Sequence, residues 1–129
     1  EASIVPIKLN HPGGASGYVI DEYGKRVCCF LDHEFGEDQE VDENLLDVSK
    51  TADLVIWDGM FLDSELVSKK GWGHSSVEQG VTFAENSKCK KIAIAHHAPN
   101  RTDEQLKELE NKLPSDNMFF AAEKMKVVI

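Results

Sequence analysis

Four short apolar runs in this chain lie against a histidine or an aspartate. Ile4 to Leu9 is followed by His11, Arg26 to Leu31 by Asp32, and Lys91 to Ala95 by His96 and His97, while Asp53 to Asp58 is bounded by aspartates. Runs this short, rich in Val, Ile and aromatic residues, read as strands, and the unbroken ones as strands buried on both faces. In an open α/β sheet, residues just beyond the carboxyl ends of strands are where sites are built. The pattern therefore predicts both a fold class and a place to look for chemistry.

The remaining elements follow from punctuation. Gly17 to Asp21 and Arg26 to Leu31 form a hairpin across the polar, Gly-containing turn Asp21 to Lys25. An acidic loop, His33 to Glu40, reads as a solvated charge run, since it lacks the spacing and glycine of a calcium loop. A short helix follows, with Asp42 as the expected N-cap and Leu45, Leu46 and Val48 on its apolar side. Asp63 to Lys70 is a weak helical turn leading into Gly71-Trp72-Gly73-His74. Ser75 with Glu78 and Thr102 with Gln105 read as capping boxes, opening helices to about Ser87 and to Leu113. Asn117 to Ala122 and Met125 to Ile129 finish as strands. No linker or repeat divides residues 1–129, so the expectation is a single α/β domain with one mixed sheet and helices on one face.

Composition excludes several classes. With 129 residues, 41% of them hydrophobic, the chain can bury a core, and no apolar run approaches the roughly 20 residues that span a bilayer. A net charge of −9 argues against a duplex nucleic-acid partner. Cys28, Cys29 and Cys89 form no spaced pair, and the adjacent two point to opposite faces of a strand. They read as packing thiols in a reducing compartment, which points to the cytoplasm. The chain opens on Glu1, so it is expected to be processed or part of something longer.

None of the five histidines falls in a helix interior. Imidazole nitrogens with carboxylate oxygens suit zinc, manganese or iron, and a carboxylate can bridge two ions. Each residue also has an ordinary role open to it. Asp32 could cap the turn it opens, His74 could serve the helix behind it, and a strand-end histidine is commonly just hydrogen-bonded.

Taken in order, five segments resemble the metallo-β-lactamase-fold hydrolases, in the branch of RNase Z and related phosphodiesterases. They are His11-Pro-Gly-Gly-Ala-Ser-Gly-Tyr18, the strand closing on Asp32, Trp57-Asp-Gly-Met-Phe-Leu-Asp63, Gly73-His-Ser-Ser76, and Ile94-Ala-His-His-Ala-Pro99. The resemblance implies that His11 ligates a first metal, that Asp32 bridges two, and that His96, spaced from Pro99 as in the family, ligates the second. It makes His74 a catalytic residue near the scissile phosphate or leaving group, and His97 an extra neighbour. The implied cofactor is a pair of zinc or manganese ions, and the implied substrate a small phosphodiester.

The family's signature His-x-His-x-Asp-His, which carries further ligands, is absent, and no His-x-His occurs anywhere. The resemblance is thus to the C-terminal half of an αββα sandwich carrying half of a dinuclear centre. Such a half exposes the sheet face meant for the other layer. The expected partner is the missing N-terminal half, or a second copy forming a homodimer. Alone, the chain is expected to hold metal weakly or not at all and to turn over negligibly. The rival expectation is a non-catalytic binding or scaffold domain on the same fold.

Overall fold

The computed structural model describes residues 1–129. Strands β1 (Ser3–Leu9), β2 (Ala15–Glu22) and β3 (Lys25–Phe30) precede α1 (Gln39–Ser49) and β4 (Leu54–Asp58). Then come α2 (Asp63–Lys69), α3 (Val77–Ser87), β5 (Ile92–Ala95), α4 (Asp103–Glu110) and β6 (Met118–Phe120). The six strands form one sheet in sequence order, antiparallel from β1 to β3 and parallel from β3 to β6. The mixed sheet is as expected. Two-residue turn geometry explains the β2–β3 hairpin: Tyr23 and Gly24, at φ 50° and 74°, both sit in the left-handed region that matches strand twist.

Register sorts the side chains into two faces. Val19, Cys28, Val55 and Ile92 lie in one row, and Phe30, Trp57, Ile94 and Phe120 in the next. Val41 and Leu45 of α1, with Val77, Phe83 and Ala84 of α3, close on these rows to make the core. Leu106 and Leu109 of α4 pack against the same cluster. Trp57 is the central piece, fully buried, with its indole N–H donating to the Ser76 carbonyl at 3.0 Å. On the opposite face Tyr18, Cys29, Ile56, Ala93 and Phe119 share a row. Tyr18 and Ile4 there are exposed. The adjacent cysteines divide between the faces, Cys28 in the core and Cys29 across from it, and all three thiols are free.

Four expectations change on contact with the structure. The N-cap of α1 is Asp38, whose carboxylate accepts from Val41 N–H, because the Asp42 carboxylate is taken by Gly36 N–H and the His33 ring. The box at α3 is Ser76 with Gln79, because the Ser75 hydroxyl is spent on the His33 carbonyl and Phe35 N–H. The α4 box is Thr102 with Gln105 as read, but the helix ends at Glu110, short of Leu113. Met125 to Ile129 is not a strand. Lys124, at φ 63°, turns the chain away from the β6 edge, and Ile129 joins Ile20 and Val27 beside the open face.

Candidate functional site

Because β1 runs antiparallel to β2 and β2 to β3, the carboxyl ends of β1, β3, β4 and β5 share one rim of the sheet. Beyond those ends lie His11, Asp32, Asp58 and His96. His74 reaches the same place from the Gly-rich loop before α3. Asp32, Asp58, His74 and His96 each offer a ligand atom within 4.8 Å of the others. His11 borders this group, its Nε2 3.9 Å from Asp32 Oδ1 and its ring centroid 5.4 Å from that of His74. The sequence-predicted residues His11, Asp32, His74 and His96 therefore all converge. His97 does not: its ring lies on Phe120, 4.5 Å between centroids, where burial lowers its pKa, aided by the Arg101 charge.

Asp58 is the residue that reading by resemblance left without a role. It is fully buried, and its Oδ2 accepts the backbone N–H groups of Asp32 (2.9 Å) and His33 (3.3 Å). The same oxygen lies 2.8 Å from His74 Nδ1 and 3.3 Å from His96 Nδ1, while Oδ1 accepts from Met60 N–H. A buried carboxylate needs such partners, and here they are the site itself. The signal was present in the sequence: Asp58 ends an apolar run just as Asp32 follows one.

Asp32 is placed differently. Half-exposed, its carboxylate approaches His96 Nδ1 at 3.6 Å and His11 Nε2 and His74 Nδ1 at 3.9 Å each. All three separations exceed hydrogen-bonding range. Imidazoles gathered around a carboxylate without bonding it form a donor set with room between the donors, and nitrogen with carboxylate oxygen is the chemistry zinc and manganese accept. The residues fit a divalent ion. Asp32 and His96 also hold φ of 61° and 59°, left-handed backbone that is uncommon outside glycine and clusters at sites.

The acidic loop is only in part the solvated charge run expected: Glu37 and Glu40 are exposed, but its first two residues are not. His33 and Glu34 are buried. His33 Nδ1 accepts from Asn10 N–H at 3.0 Å, and Nε2–H donates to Asp42 Oδ1 at 3.0 Å, which ties the end of β1 to α1. Glu34 spans the Gly-rich loop, one oxygen accepting from Gly71 N–H at 2.7 Å and the other from Gly73 N–H at 3.0 Å. Thus the tripeptide Asp32-His33-Glu34 contributes one site carboxylate and braces the segments that carry His11 and His74. Sequence reasoning missed this because nothing in a run of acids marks which are buried.

The chain has the metallo-β-lactamase fold, of which it forms a half domain. It is similar to the metallo-β-lactamase fold protein YhfI from Bacillus subtilis, at 17% identity and a TM-score of 0.74, over 93% of this chain and 46% of that one. A diphosphatase of the PhnP family aligns at 16% identity and 0.70, over 99% and 44%. Human tRNase Z, short form, aligns at 21% identity and 0.64, over 77% and 37%. The chain thus spans less than half the length of each. No family model and no curated protein matches the sequence.

Proposed function

We propose that this chain supplies half of a metal-dependent hydrolase acting on small phosphodiesters. The observation that carries the reading is the Asp32 carboxylate, ringed by three imidazole nitrogens at 3.6 to 3.9 Å, beside the bond from His74 to the buried Asp58. His11, Asp32 and His96 would hold the metal, zinc or manganese. Such ions supply Lewis acidity toward a phosphoryl oxygen and acidify water.

The chain's own residues orient the rest. With its Nδ1–H donated to Asp58, His74 presents Nε2 as its free nitrogen, and the buried carboxylate fixes the ring in that orientation. His74 is then placed to hand a proton to a leaving oxygen, a role worth about 10² to 10⁴ in rate.

The apolar side chains of Ile4 and Tyr18, left exposed on the open face of the sheet, support a partner for that face. The half-length match to YhfI and the PhnP-family diphosphatase favours the missing N-terminal half over a second copy of this chain. The charge of −9 weighs against a long RNA substrate for this chain alone. No helix is long and apolar enough to cross a membrane, and three free thiols favour the cytoplasm.

The second reading is a non-catalytic binding or scaffold domain on the same fold. One assay separates them. A full-length protein containing this chain is given bis-p-nitrophenyl phosphate with Mn²⁺ or Zn²⁺. The hydrolase reading requires metal-dependent turnover that His74→Ala reduces, whereas a scaffold is inert. Titration of the isolated chain with either metal should show weak or no binding, and submicromolar affinity would sink the half-site reading.

A further inference from the structure

Trp72 is 55% exposed, although it is one of the two largest apolar side chains and the other, Trp57, is fully buried. It is not on a loose loop. Its neighbours Gly71 and Gly73 have φ of 83° and 88°, and both their N–H groups are held by the buried Glu34. Its own N–H donates to the Lys69 carbonyl at 3.1 Å. A half-exposed indole on a backbone held in this way presents a flat surface to a ligand that covers it.

The surroundings indicate what that ligand is. Phe61 stands edge-on to Trp72 at 6.2 Å and edge-on to the His74 ring at 6.0 Å, so the tryptophan is one ring removed from the candidate site. Met60, Phe61, Lys69, Trp72 and Pro99 line a cavity of about 300 Å³. Lys69 Nζ lies 4.0 Å from the Trp72 ring centre and makes no ion pair. Glu65, the acid on the same wall, is already paired with Arg101. The wall therefore offers an aromatic platform and one positive charge that rests on the indole and is paired with no carboxylate, in a chain that is otherwise strongly acidic.

We infer that this cavity takes a flat aromatic ring borne by an anionic phosphoester, stacked on Trp72 with its charge toward Lys69. The ring is that of an aryl group or a nucleobase. The assignment of phosphoester rests on the hydrolase reading above, while the aromatic platform stands on the Trp72 geometry alone.

The isolated, ¹⁵N-labelled chain tests it in the presence of a chelator, so that no outcome depends on metal or turnover. Adenosine 5′-monophosphate, phenyl phosphate and ribose 5-phosphate are titrated separately, following the Trp72 indole N–H and the Gly71, Gly73 and His74 amides. The expected result is a saturable shift with adenosine monophosphate, phenyl phosphate or both, and none with ribose 5-phosphate at matched concentration. Which of the two aromatic probes binds tells a nucleobase from an aryl group. Trp72→Ala, at an exposed position, should weaken binding by roughly tenfold to a hundredfold, the usual worth of one stacked base, and Trp72→Phe should restore part of it. Equal shifts from ribose 5-phosphate, unchanged binding by Trp72→Ala, or no shift from any probe would overturn the inference. Any of these would leave the metal-dependent assay, and the hydrolase reading it tests, untouched.

Discussion

The Asp58 carboxylate and the His74 ring are joined by a 2.8 Å hydrogen bond whose acceptor oxygen also receives the backbone N–H of Asp32. One buried group thus fixes the orientation of a candidate acid and the left-handed turn at a candidate ligand. Asp58→Ala strands the N–H groups of Asp32, His33 and Met60 and releases His74. With about 1–3 kcal/mol for each buried donor left unpaired, and partial relaxation, we expect a loss of about 3–4 kcal/mol. Urea denaturation measures it. Asp58→Asn, which keeps one acceptor, should lose about half as much.

Gly73 and Gly24 make a matched pair. Both hold positive φ, 88° and 74°, so alanine at either strains the backbone by about 1–2 kcal/mol. A Cβ at Gly24 meets nothing, whereas one at Gly73 runs into the His11 ring and Pro12. Gly24→Ala should therefore cost only the strain. Gly73→Ala should cost more and also move the His11 ring resonances in an NMR spectrum. Equal melting shifts with an undisturbed His11 would show that Gly73 is there for its backbone alone.

Glu34 is the brace of the Gly-rich loop. Glu34→Ala leaves the Gly71 and Gly73 N–H groups without their acceptor, and both amides should exchange with solvent faster. The stability loss should be about 2 kcal/mol, in line with two unmade bonds partly replaced by water. Glu34→Gln keeps one acceptor oxygen and should restore protection at only one of the two glycines. Unchanged exchange at both would mean the loop is held by something else.

What the sequence made legible, and what it did not, has a physical division. Strand runs and the ionisable residues past their ends depend on local pattern, so β1 to β6 and the meeting of His11, Asp32, His74 and His96 could be read. Burial of a polar group depends on which partners tertiary packing brings to it. Asp42, Ser75, His33 and Glu34 each had a plausible local role, cap or solvated charge, and each lost it to a partner between 6 and 42 residues away. Capping is a competition among neighbours for one carboxylate or hydroxyl, and sequence shows the contestants without the outcome. The Met125 to Ile129 segment has strand-like residues, yet the turn at Lys124 carries it off the sheet edge. Asp58 was missed for a different reason, since its signal was as strong as that of Asp32.

At the far end of β4, Asp53 offers a pH test remote from the site. Its carboxylate accepts from Lys90 Nζ at 2.8 Å and from Arg26 N–H at 2.9 Å, with Lys25 Nζ at 3.5 Å. The Lys90 bond foremost, then the Arg26 N–H, hold its pKa down from the usual 3.8 to about 2. A carboxyl whose folded pKa lies below its unfolded value binds its proton more tightly in the unfolded chain. Its stabilising contribution is therefore complete above the unfolded value and is lost as pH falls from about 4 toward about 2. Asp21, lowered by its bond to Arg26, adds in the same direction. Asp53→Asn should be less stable than the parent at neutral pH, and the gap should narrow as the pH drops through that window. Urea midpoints measured above and within it decide the matter. A gap that stays constant would mean the Asp53 carboxylate gains nothing from Lys90 and Arg26 on folding.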